Sequence, residues 1–187
     1  MKEVKIVKTY KAYQILNDSF YSDEKSFASL HSSKSNFMKD DSGQFMCIGV
    51  TPDTYLLNED KISNYFSIGY VSPLVVTNYK MLALILVVSQ IDGIDFIDFS
   101  FKENSEESMS EKDYVQSMLT EKDPIIDISN FLKENSQKIQ YIDLKESNNK
   151  IRISSTGAIY VSPSLDINKN SIFMKIVTFL FTGELRK

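Results

Sequence analysis

Apolar positions are spread unevenly along the chain, and two stretches carry most of the pattern that decides a fold. The first, Tyr70–Phe101, holds the longest unbroken apolar run, Met81–Val88, followed by an alternating segment, Ile94–Phe101. The run is too short to cross a bilayer, which takes about 20 apolar residues, so it reads as a buried core element. Helix and strand compete for it. Lys80, Met81, Leu82 and Ala83 are good helix formers, Thr77 or Asn78 can cap the start, and Gly93 can sit past the end. Against this, Asp92-Gly93 between apolar runs is a hairpin signal that would pair Val88 with Ile97 and Leu86 with Phe99. Periodicity alone does not separate a buried helix from a buried strand.

The second stretch, Ser171–Phe181, reads as helix. Ile172, Phe173, Ile176, Phe179 and Leu180 fall on one face, with Lys175, Thr178 and Thr182 opposite. An internal echo ties the two stretches together. Tyr70-Val71-Ser72-Pro73 recurs as Tyr160-Val161-Ser162-Pro163, and each copy is followed by an Asn (Asn78, Asn170), an apolar run and a Gly (Gly93, Gly183). Proline ends a strand because it cannot donate to the ladder. By analogy the first run is helix as well. Duplication and chance both fit a match this short.

Between these stretches the pattern predicts strands at Glu3–Tyr13 and Gln44–Val50, and a hairpin from Thr54–Leu57 and Tyr65–Tyr70. A second hairpin joins Tyr141–Lys145 to Lys150–Tyr160, with Gly157 marking a bulge or a close backbone approach. A short helix is expected around Lys25–His31. Ser110 and Asp127 mark the starts of two surface helices, about 111–120 and 128–138, the first ended by Asp123-Pro124. Lys102–Glu111 reads as an acidic linker and Glu184–Lys187 as a tail. The predicted class is α+β: a mostly antiparallel sheet packed by two apolar helices, about 78–91 and 171–182, plus the two surface helices. Residues 1–187 form a single domain, or two related halves, about 44–101 and 139–183, joined by 102–138.

Composition narrows function mainly by exclusion. A net charge of −4 and a pI near 5.1 argue against generic nucleic-acid binding. Arginine occurs only at Arg152 and Arg186, which weakens any case for bidentate phosphate or base recognition. Abundant Lys, Asn, Ile and Ser with little Arg suggests an AT-rich genome. The single cysteine, Cys47, excludes an intramolecular disulfide and a cysteine zinc cluster. The N-terminal MKEVKIVKTYKAY has no apolar core of a secretory signal, so a cytoplasmic protein without a membrane segment is expected.

Candidate chemistry is sparse. No GxGxxG, GxxxxGK[ST] or GxSxG occurs, and HExxH is impossible with one histidine. His31, in the polar SLHSSKS, is either a lone general base or a surface histidine. Cys47, within Phe45–Val50, reads as a small buried hydrophobe. Asp95 and Asp98 on a regular strand point to opposite faces, so a joint metal site there needs a bend. Asp127 with Asp143-Leu144-Lys145 faintly resembles the PD-(D/E)xK nuclease pattern. That resemblance implies two acids holding magnesium and a lysine orienting the nucleophile. The pattern departs from it in that Pro124 does not adjoin Asp127 and a helix separates the halves.

Two functional expectations follow. One is a non-catalytic, acidic accessory, regulatory or inhibitory protein that needs no cofactor and binds another protein of basic character. Its ten tyrosines suit interfaces and its acidic stretch suits such a partner. The other is a magnesium-dependent nuclease using Asp127, Asp143 and Lys145. A homo-oligomeric structural subunit is a further alternative to both.

Overall fold

Strand and helix follow one another here in the order the alternating and 3.6-period patterns dictate, with exceptions at residues 54–70 and 158–161. The computed structural model describes residues 8–34, 36–88, 90–102, 106–121, 124–165 and 171–184. The first elements are β1 (Lys8–Ile15), α1 (Glu24–Ser29), β2 (Phe37–Lys39), β3 (Phe45–Val50), α2 (Pro52–Leu57), α3 (Glu59–Ser67) and β4 (Val71–Pro73). Next come α4 (Asn78–Val88), β5 (Ile94–Phe101), α5 (Glu106–Met118) and α6 (Ile125–Glu134). The chain closes with β6 (Ile139–Glu146), β7 (Asn149–Ser154), β8 (Ala158–Val161) and α7 (Ser171–Thr182). The class is α+β with antiparallel strand pairing, as the pattern predicts.

Two compact units emerge, one of residues 1–75 with 157–187 and one of residues 76–156. In the first unit β1 is the organising strand. β3 pairs along one side, from Thr9 opposite Val50 to Gln14 opposite Phe45, and β2 pairs β3 beyond it. On the other side β8 and β4 share β1 end to end. β8 runs opposite Lys8 to Lys11, and β4 opposite Tyr13 to Ile15. The first copy of the YVSP echo thus supplies the whole of β4 and the second the last two residues of β8, on the same edge of β1. At the junction Gly157 has φ +75, and a Cβ built there falls 2.4 Å from the Leu74 carbonyl oxygen. This is the close backbone approach that a glycine inside a strand pattern signals.

Side-chain alternation gives this sheet two covered faces. Tyr10, Ala12, Phe45 and Cys47 lie toward α7, where Tyr10 meets Phe173 edge-on and Phe45 stacks on Phe181. Tyr13, Ile15, Met46 and Ile48 face the opposite way, into a cluster with Phe20, Phe27, Ile62 and Val71.

The second unit holds β5, β6 and β7 in that order, with α4 packed on α6, β5 and β6. Its apolar face is Phe99, Ile142, Leu144, Ile151 and Ile153. The disputed run 81–88 is helix, and Thr77 rather than Asn78 supplies its start: the Met81 N–H donates to the Thr77 carbonyl. The Asn78 amide does something else. Its Nδ2 donates to the Gln137 carbonyl at 3.0 Å, and its Oδ1 accepts from the Ile139 N–H at 3.0 Å, fixing the entry to β6.

Several expectations need correction. Residues 54–70 form α2 and α3, not a hairpin, so the likeness between the two YVSP copies does not extend upstream. The second hairpin ends at Ser154, and Ala158–Val161 is a separate strand. β2 has no counterpart among the expected elements. The surface helices start earlier than expected, at Glu106 and Ile125, with Pro124 before α6 and Asp127 inside its first turn. Helix α6 stops at Glu134, short of 138, and α4 at Val88, short of 91. Thr178 is buried, because α7 contributes more than one stripe to the core. The expected strand over 3–7, the helix-start signal at Asn170, the breaker Asp123, Arg186, the tail 185–187 and part of the acidic linker, 103–105, lie outside the described residues.

Candidate functional site

Asp143 of the second unit is a charged group with several partners. The two-residue turn at 147–148 sets the register of β6 against β7 and places Arg152 directly opposite Asp143. The Arg152 Nε and Nη2 donate to the two carboxylate oxygens at 2.7 and 2.9 Å, and the Lys150 Nζ lies 2.7 Å away. The Arg152 guanidinium also stacks on Tyr141, 3.9 Å from the ring centroid. Asp143 is 5% exposed. Burial alone would push its carboxyl upward. The hydrogen bonds and charges of Arg152 and Lys150 outweigh that and hold it below the ordinary carboxylate range.

The neighbouring strand extends this polar face. β5 carries a bulge between Phe96 and Asp98, so Asp95 pairs with Lys145 and Asp98 with Asp143. The bulge turns Asp95 and Asp98 onto one face, which corrects the opposite orientation expected of a regular strand. Asp98 is held by Lys112 of α5 at 2.7 Å. The face is thus a row of compensated charges: Lys112, Asp98, Asp143, Arg152.

For the nuclease residues the placement is as follows. Both oxygens of Asp143 are taken by Arg152 and Lys150. Lys145 is exposed on the same face of β6, and Asp127 is exposed in the first turn of α6. Among the described residues no group of three or more His, Cys, Asp or Glu side chains is placed to hold a metal ion.

The first unit holds the other polar constellation. His31 is 0% exposed, which corrects the surface reading. Its Nδ1 lies 2.9 Å from the Phe27 carbonyl oxygen, which can only accept, so Nδ1 carries the proton. Nε2 is then the acceptor for the Tyr13 hydroxyl, 2.6 Å away. Tyr13, Phe27 and Tyr55 surround the ring. Burial lowers the imidazole pKa to about 4, with the nearby Lys11 ammonium acting the same way and the Phe27 hydrogen bond opposing. Burial, helped by Tyr55, pushes the Tyr13 hydroxyl up, and burial does the same to the Cys47 thiol. All three are therefore uncharged at neutral pH.

Arg152 opposite Asp143 is legible once a two-residue turn is placed at 147–148. The Tyr13–His31 pair is not, because nothing in SLHSSKS points to a tyrosine on β1. No family model, curated protein or solved structure matches the chain.

Proposed function

We propose that the protein is a non-catalytic binding module whose partner is another protein, met through α2. The observation that carries this is the exposure of that helix. Pro52–Leu57 buries none of its residues, and its adjacent Leu56 and Leu57 are 64% and 85% exposed. Single exposed leucines are ordinary, but a six-residue helix that lends the core only the half-buried Tyr55 and holds two leucines in solvent is more readily understood as a contact surface. Asp53, Glu59 and Asp60 stand exposed around it. The partner this fits is a protein surface with an apolar patch and a basic rim. The polar constellations support the same reading, since Asp143 and His31 have their hydrogen-bonding atoms committed internally.

A photo-crosslinking residue at position 57 tests this in source cells, with the same probe at position 145 as control. The expected result is one adduct from position 57 alone, lost in a Leu56→Ser variant. An adduct at twice the protein's mass would point instead to a homo-oligomer. Magnesium-dependent cleavage of DNA or RNA, abolished by Lys145→Ala, would replace the binding reading with the nuclease one.

A further inference from the structure

Both nitrogens of the chain's single histidine are committed inside the first unit, and the commitments tie three elements together. Tyr13 belongs to β1, Phe27 to α1, and Tyr55 of α2 lies against the ring with centroids 5.4 Å apart. The His31 backbone joins in. Its carbonyl accepts from the Thr51 N–H at 2.9 Å, and the Thr51 carbonyl in turn accepts from the Tyr55 N–H at 3.0 Å, the first turn of α2. The Ser32 and Thr51 hydroxyls lie 3.1 Å apart beside it.

We propose that His31 is an acid-sensitive latch: a proton at Nε2 releases the α1–α2 layer from β1 while the rest of the fold stays formed. The step is a single proton transfer from solvent. Nε2 has its lone pair engaged by the Tyr13 O–H. To take a proton it must become a donor, and the Tyr13 hydroxyl must turn from donating to accepting. The buried imidazolium then meets no compensating charge. Facing it are Tyr13 and Lys11 from β1, the Phe27 carbonyl from α1 and Tyr55 from α2. Cys47 of β3 lies near Tyr13, and Tyr65 of α3 packs on Phe27. Of the acids on these elements, Glu24 is paired with Lys39 at 2.6 Å, Asp23 acts on Tyr65, and Asp53 of α2 with Glu59 and Asp60 of α3 are exposed. The Lys11 ammonium, 4.9 Å from the centre of the Tyr55 ring, adds repulsion. Opening the layer lets the ring ionise in water at its ordinary pKa, so falling pH draws the layer open.

Amide exchange read segment by segment, corrected for the intrinsic pH dependence, tests this. The opening constant for residues 24–31 and 52–57 should rise about 50-fold from pH 7 to pH 4.5, relative to the amides of β6 and β7. In His31→Gln the rise should vanish. An equal rise in His31→Gln, or a flat wild type, overturns the latch. Should that variant not fold, nitrogen NMR of the wild-type imidazole decides. The neutral, Nδ1-protonated form should persist to about pH 5, and titration near pH 6.5 would overturn the proposal.

Discussion

The two units bury a titratable group in opposite ways. In the first, His31 sits among Tyr13, Phe27 and Tyr55 and is kept neutral. In the second, Asp143 is nearly as buried and is kept charged, because Arg152 and Lys150 converge on it. An aromatic layer offers hydrogen bonds but no counter-charge, so desolvation decides the protonation state. A cross-strand arginine offers both, so desolvation loses. The same degree of burial thus yields a neutral latch in one place and a fixed ion cluster in the other. Their responses to acid, salt and substitution should differ accordingly.

The largest effect should come from the close backbone approach at Gly157. Gly157→Ala places a Cβ 2.4 Å from a backbone oxygen that cannot swing away, and does so at φ +75. Left-handed geometry costs a non-glycine residue about 1–2 kcal/mol, and the overlap adds about 1–3 more. A loss of about 4 kcal/mol is expected in urea unfolding at neutral pH. Gly183 has the same φ, but a Cβ built there meets nothing within 4 Å, so Gly183→Ala should cost only about 1 kcal/mol. Equal losses at the two sites would mean that β4 and β8 do not meet end to end on β1.

Acid should separate the units next. The folded pKa of His31, about 4, lies below its unfolded value of about 6.5. The unfolded chain therefore binds more protons between those values, and stability falls as pH falls through that window. About 3 kcal/mol should be gone by pH 4. Asp143 runs the other way in cause and lower in pH. Its folded carboxyl is held below the ordinary range, so its contribution is intact above about pH 4 and is lost only beneath it. Residue-resolved NMR on acid titration should show α1 and α2 signals weakening before those of β6 and β7. Simultaneous loss would break the contrast.

A smaller effect isolates the ion cluster. Arg152→Lys keeps a positive charge but loses the two-pronged bond to Asp143 and the stack on Tyr141. It should cost about 1–2 kcal/mol, with Lys150 still limiting the damage. The loss should grow in high salt, because a lysine's point charge is screened more readily than a bidentate hydrogen bond. Substitutions around His31 should be insensitive to salt.

What is readable in the sequence is the part set by local pattern. α4, β5 and the β6–β7 hairpin come from local pattern and a short turn, and each is there. α2 and α3 look like strands because Thr54, Tyr55, Tyr65 and Phe66 are strand-prone residues. Pro52 and Asp53 at one start, with Glu59 and Asp60 at the next, are helix-start signals that outweigh them. The β5 bulge is not legible, since Ile97 differs from its neighbours in no way that sequence records. His31 is hidden for a similar reason. Its burial is set by residues on β1 and α2, far from the polar segment around it.

The finest test compares how each unit ends a helix. In the first, α7 is followed by Gly183 at φ +75, and the Gly183 N–H donates to the Phe179 carbonyl at 2.7 Å. In the second, α6 ends with paired bonds, Gln137 N–H to the Leu132 carbonyl and Ser136 N–H to the Lys133 carbonyl. This is the Schellman pattern, which places a left-handed residue where glycine is most at home, yet Ser136 occupies it at φ +54. Ser136 therefore carries strain that Gly183 does not. Ser136→Gly should raise stability by about 0.5–1 kcal/mol, since relief of the left-handed cost exceeds the entropy lost to a freer unfolded chain. Gly183→Ser should lower it by a comparable amount. If both changes destabilise, the Ser136 side chain is contributing something beyond the turn, and the second unit's helix end is not a strained copy of the first's.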